Sequence, residues 1–167
     1  MFRWIYALPL GKIILLMGAA ILLWGSLRGR QLVRKWNAVN AALSAVSLMV
    51  ILYVTLHRAA GVYTAVLRPF AALAAAKRQP ELYREMLMNV FLFFPLGLTL
   101  SNALPQKWSR WRRIALTTTL GCMLSVGIEF AQYRYAIGMA ETDDVLCNTL
   151  GTFLGSTSLL AVHNIGE

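Results

Sequence analysis

Charge is scarce in this chain, and negative charge scarcer still. Only 14% of its 167 residues are charged, where an ordinary soluble domain carries about 25%. Seven acids stand against sixteen Lys and Arg, a net charge of +9. Such an excess can mark a nucleic-acid binder, but here the cations sit in short clusters between long uncharged runs, the pattern of membrane-protein loops. No nucleic-acid partner is therefore expected. The two cysteines, Cys122 and Cys147, lie inside apolar runs without CxxC or Cys/His spacing, so neither a zinc site nor a structural disulfide is expected. HExxH, GxSxG and P-loop patterns are also missing, which leaves no particular hydrolytic or phosphoryl-transfer reaction supported. No metal site or cofactor is expected. An internal repeat is lacking too, and this argues against a transporter built from alternating halves.

What the chain has in quantity is apolar sequence: 58% of it is hydrophobic and its mean hydropathy is +0.59. Five spans of about 20 residues each would account for most of it. Met1–Leu27 shows no small-residue cleavage site and reads as a first transmembrane helix over residues 5–27, with Lys12 snorkelling to the nearer headgroups. Residues 36–56 form a second span without a formal charge. Residues 86–104 form a third, in which Pro95 removes one helical hydrogen bond and is expected to kink the helix. Residues 114–133 form a fourth and 145–165 a fifth. The stretch 59–76 is apolar but broken by Arg68-Pro69. An Arg at a helix centre costs about 2.5–3.5 kcal/mol on an insertion scale, so this stretch is read as an interfacial or re-entrant segment. The expected fold is an all-α polytopic membrane helix bundle, a single domain over residues 1–167.

Orientation follows from the cations. Arg28, Arg30, Arg34 and Lys35 fill one short connector, and Lys107, Arg110, Arg112 and Arg113 fill another on the same side. The opposite side also holds eight: Arg3, Lys12, Arg58, Arg68, Lys77, Arg78, Arg84 and Arg134. Five of these are spread over residues 57–85 among Glu81 and Glu85. Density breaks the tie, placing the two compact clusters in the cytoplasm and the N-terminus outside. The expected location is the bacterial cytoplasmic membrane, crossed several times.

Glu129 most needs an explanation, because an acid within a hydrophobic run is costly and usually marks a site. On a helix Ser125, Glu129 and Gln132 share one face. Asp144, Asn148, Gly151 and Gly155 likewise share one face of the fifth span, where Gly151-xxx-Gly155 permits close helix approach. That glycine face is expected to receive the fourth span. The fourth span ends where the third and fifth begin, so Asn89, Glu129, Gln132, Asp143, Asp144 and Asn148 should lie at similar depth and line one polar pocket, outward in this orientation. Glu129 and Asp144 are the best catalytic candidates, and Arg68, Arg84 and Arg134 are candidate partners for Glu129. Structural roles compete with these: Thr142 and Asp143 as caps of the fifth helix, and Asn89 and Asn148 as interhelical hydrogen-bonding groups. Carboxylate and amide oxygens together would suit Mg²⁺ or Ca²⁺ better than zinc.

At these positions the chain resembles the VanZ-like family of bacterial membrane proteins, named for a protein associated with teicoplanin resistance. The likeness is carried in order by LRPF (67–70), NVFLFFPLG (89–97), GIEFAQ (127–132) and TDDVLCNTLGTFLG (142–155). It covers about residues 62–160 and leaves the first two spans without a recognised motif. The resemblance implies that Asn89, Pro95, Gly97, Glu129, Gln132, Asp143, Asp144, Asn148, Gly151 and Gly155 are the family's own positions, with Pro95 and the glycines in helix packing. It also implies a role in glycopeptide or lipoglycopeptide susceptibility at the cell envelope. Two alternatives stand beside that role: an enzyme acting on a lipid-linked envelope precursor, and a non-catalytic interaction subunit. The partners implied are the lipid bilayer and either such a precursor or a glycopeptide.

Overall fold

A computed structural model describes residues 37–57, 64–79 and 81–163. The first expected span, 5–27, lies outside them. The described chain forms α1 (Asn37–Leu56), β1 (Ala65–Val66), α2 (Ala71–Ala76), α3 (Glu81–Ala103), α4 (Arg110–Tyr135), β2 (Ala140–Glu141) and α5 (Thr142–His163). It is an all-α bundle with one minimal parallel pairing, Ala65 opposite Ala140 and Val66 opposite Glu141. Three helical segments, Ala38–Leu56, Glu81–Ala103 and Arg110–Tyr135, are long and apolar enough to cross a membrane. In lipid each must satisfy its own backbone hydrogen bonds, which a helix does internally. Helix α5 has 22 residues, about 33 Å at 1.5 Å per residue. Pro95 lies inside α3 without ending it.

Polarity is inverted relative to a water-soluble bundle. Among the described residues fifteen polar or charged side chains are buried against eight apolar ones, while Met49, Met123, Val126 and Phe130 are each more than half exposed. The apolar core proper is small: Ile51, Phe93, Leu96 and Ile128. Lipid tails are as apolar as leucine, so helices gain little by hiding leucines from them. They associate through small residues and hydrogen bonds instead.

Both devices are visible here. A Cβ at Gly151 would overlap the Val90 carbonyl oxygen, one at Gly155 the Phe94 carbonyl oxygen, and one at Gly97 the Thr152 carbonyl oxygen. The glycine face of α5 therefore meets α3, not the helix 110–135 that the sequence reading expected. The glycines interleave from both partners, Gly97 on α3 with Gly151 and Gly155 on α5, and bring two backbones together. Helix α4 meets α5 along the adjacent edge, where the Thr152 side chain covers Gly121 and Asn148 Nδ2 donates to Ser125 Oγ over 2.9 Å. Ser44 Oγ donates to Thr99 Oγ1 at 3.1 Å and joins α1 to α3.

The stretch expected to lie at the interface or re-enter the bilayer is short in its described part: β1, a turn, and the six-residue α2. A helix of about 9 Å cannot cross a hydrocarbon core of about 30 Å. This part is docked onto the end of the bundle where α1 and α4 finish and α3 and α5 begin.

Candidate functional site

Several chain segments converge at that end, and two of them are turned there by a left-handed residue, Phe70 and Ala136. Helix α4 stops at Ala136, which adopts a left-handed conformation (φ 51°), while the Ile137 N–H donates to the Gln132 carbonyl. This closes the last turn as in a Schellman motif, with alanine where glycine is usual. The reversal delivers β2 alongside β1, and the Ala140 N–H donates to the Thr64 carbonyl at 3.2 Å.

Glu129 lies one and a half turns before the end of α4 and is only 8% exposed. Its Oε2 accepts the Glu141 N–H at 2.9 Å, so an acid inside an apolar run holds the β2 backbone. Beside it opens a cleft of about 590 Å³, whose wall is largely apolar: Leu67, Val126, Phe130, Tyr133 and Val145. Glu141 and Thr142 reach the same cleft. The carboxylate thus borders a space shaped for hydrocarbon, next to the lipid-facing surface of α4.

Gln132, 1% exposed, points the other way and donates from Nε2 to the Thr55 carbonyl at 3.0 Å, tying α4 to α1. Asn89 Nδ2 donates to Asp144 Oδ1 at 2.6 Å, tying α3 to α5. Asn148 faces Ser125, and its Oδ1 is buried without a hydrogen-bond partner. The six residues singled out from sequence therefore do gather at one end of the bundle, but as spokes between different helices. Of the six, Glu129 is the one that lines the cleft.

Asp143 does something sequence alone did not show. Its sequence position suits either the pocket or, with Thr142, a cap of its own helix. Instead Oδ1 accepts the Phe70 N–H at 2.5 Å and Oδ2 the Ala72 N–H at 2.6 Å. Helix α2 begins after Phe70, which is left-handed (φ 62°) and provides no side-chain cap. Asp143 supplies that missing acceptor from across the chain, and its charge sits at the positive end of α2. The Thr142 hydroxyl donates to the Val66 carbonyl at 3.3 Å. Both side chains thus serve the docked segment, satisfying its N–H and C=O groups.

Several contributors escaped sequence reading. Thr55 takes part through its carbonyl, which no side-chain pattern reveals. Gly121 and Thr152 form a small-residue contact that a GxxxG search passes over. For an ion, the described residues contain no group of three or more His, Cys, Asp or Glu able to share one. Chemically, the end offers a shielded carboxylate beside an apolar cleft, an acceptor of hydrogen bonds next to space lined by hydrocarbon.

Two comparisons with known proteins find similarity. The sequence profile of the family described as VanZ/LLP1 matches residues 43–163, which takes in most of α1 and everything from β1 through α5. Protein VanZ of Enterococcus faecium is 35% identical over 75 residues, 44% of this chain and 42% of that protein. The similarity thus spans well under two thirds of the relative's length. No solved structure matches.

Proposed function

Because the chain belongs to the VanZ/LLP1 family, we propose that it is a multi-pass protein of the bacterial cytoplasmic membrane that alters susceptibility to teicoplanin-type glycopeptides from the outer face of the bilayer. In this reading the end bearing Glu129, Asp143 and Asp144 faces outward and the compact basic clusters face the cytoplasm, following the positive-inside rule. One observation carries the proposal: Glu129, buried and hydrogen-bonded, borders an apolar cleft reached from the lipid-facing side of α4. A site of that kind takes an amphiphile, with hydrocarbon against Phe130 and Val145 and a polar group at the carboxylate. A lipid-linked envelope precursor and a lipoglycopeptide both have this character.

A second reading is catalysis, with Glu129 as the general acid or base. The same cleft supports it, since a general acid or base must lie within reach of the group it protonates or deprotonates and Glu129 lines the cleft. Asp144, engaged with Asn89, would then be a positioning residue.

The test is Glu129→Gln, which keeps an oxygen to accept the Glu141 N–H and removes the charge. The expected result is normal accumulation with loss of glycopeptide tolerance in cells that depend on the protein for it. Profiling of lipid-linked precursors in the same cells separates the readings: a species that changes with wild type but not with the variant indicates catalysis. Unchanged precursors with lost tolerance indicate binding. Full tolerance at normal protein level would make Glu129 a packing residue.

A further inference from the structure

The opposite end of the bundle holds a second site. We propose that the α3–α4 turn binds the phosphodiester headgroup of an anionic phospholipid, with Arg113 as its buried contact. The proposal is independent of what happens at Glu129.

Arg113 is only 4% exposed. Its hydrogen bonds go to the Ser101 carbonyl at 3.4 Å and to Gln106 Oε1 at 3.0 Å, both through Nη1. Its Nε is buried and has no partner. The Nε/Nη2 edge, one of the two edges through which a guanidinium grips an oxyanion with parallel hydrogen bonds, is therefore left without a protein acceptor. Burying a cation against neutral groups alone is costly. Among the described residues no acid lies at this end: Glu81, Glu85, Glu129, Glu141, Asp143 and Asp144 all belong to the other.

The helix itself worsens the imbalance. Arg110, Arg112 and Arg113 occupy the first turn of α4, which contains no acid, although the N-terminus of a helix is its positive end. Lys107 adds a fourth cation three residues upstream. Such a sequence is self-repelling unless an anion joins it. The turn is also built to hold one side chain in place. Gln106 Nε2 donates to the Asn102 carbonyl at 3.1 Å, which fixes the Gln106 amide whose oxygen receives Arg113.

The surroundings identify the anion's source as lipid. Trp111 is 69% exposed, and Arg112 lies over the Trp108 ring at 5.9 Å. Tryptophans and arginines at the end of an apolar helix mark headgroup depth, and basic pockets between helices there suit phosphate-bearing lipids. A phosphodiester offers two non-bridging oxygens to the free guanidinium edge and an acyl region to the exposed tryptophan.

The full chain is purified in a neutral detergent, and its thermal melting is followed while dioleoyl phosphatidylglycerol, dioleoyl phosphatidylcholine or inorganic phosphate is added. Retained lipid is weighed by native mass spectrometry. Phosphatidylglycerol should stabilise saturably and stay bound, whereas phosphatidylcholine should require at least tenfold more lipid for the same shift. Arg113→Gln should weaken the phosphatidylglycerol response at least tenfold, and Arg113→Lys should fall between. Stabilisation by inorganic phosphate equal to that by phosphatidylglycerol would overturn the lipid assignment, as would an unchanged response in Arg113→Gln. Should Arg113→Gln fail to accumulate, Arg110→Gln decides. A response weakened at least threefold there but not in Arg134→Gln, at the other end of α4, supports the site. Equal weakening in both would mean diffuse charge attraction and overturn it.

Discussion

The two ends of this bundle are made in opposite ways. The acidic end is assembled from residues far apart in sequence: Asp143 holds Phe70 and Ala72, Gln132 holds Thr55, and Asn89 holds Asp144. The basic end is assembled locally, with Ser101, Asn102, Gln106 and Arg113 all within one helical hairpin. An end made by convergence depends on how every helix packs, whereas an end made by a turn depends on the turn. Distant substitutions should therefore damage the first and spare the second.

Gly151→Leu should give the largest effect. A side chain there meets main chain at Val90, which cannot step aside as a flexible side chain can, so the cost should be about 3 kcal/mol or more. Membrane accumulation and the melting temperature in detergent measure it, and a well-folded variant would mean that the α3–α5 contact is not what gathers the acidic end. Asp143→Asn should come next. One neutral oxygen replaces a carboxylate that serves two N–H groups, a loss of about 1–3 kcal/mol. Hydrogen exchange at Phe70 and Ala72 should speed up by about tenfold to a hundredfold, with the α3–α4 turn unaffected.

At the basic end, Ser109→Ala removes the acceptor of the Arg112 N–H, an N-cap worth about 1 kcal/mol. Faster exchange should be confined to the first turn of α4. Spread of that change to residues 64–79 would break the contrast between the ends. Gly127→Ala should be the mildest substitution, since nothing lies within 4 Å of a Cβ there. In mid-helix it should stabilise by about 0.5–1 kcal/mol.

Residues that violate their surroundings were the legible part of the site. Glu129 stood out as an acid in an apolar run, and Ser125, Glu129 and Gln132 are all buried, although they meet α5, β2 and α1 in turn. Asn89 and Asn148 were readable as interhelical hydrogen-bonding groups, since amides within apolar helices commonly bond across to a neighbour. Partner identity was not readable. Small residues at four-residue spacing announce close approach but not which helix approaches, so Gly151 and Gly155 were assigned to the wrong neighbour. Asp143 satisfies an orphaned helix start about seventy residues away, and its position at the start of α5 made a local cap the natural expectation. Arg113 looked like a loop cation because burial is decided by the hairpin rather than by its neighbours in sequence. The helices themselves were legible from charge-free length, since a span in lipid has few alternatives to an α-helix. Their ends ran several residues past the apolar runs, as at Glu81 and Arg110, where charged residues continue the helix toward the headgroups.

The claim that joins fold to function is that the acidic end faces outward. Site-directed thiol labelling tests it in intact cells, in a background where Cys122 and Cys147 are replaced by alanine. Met139, beside β2 and 45% exposed, and Ser109, in the basic turn and also exposed, are changed to cysteine one at a time. A membrane-impermeant maleimide should label Met139→Cys in intact cells and Ser109→Cys only after lysis. The reverse pattern would place the Glu129 cleft in the cytoplasmic leaflet and contradict an action on glycopeptides from the outer face.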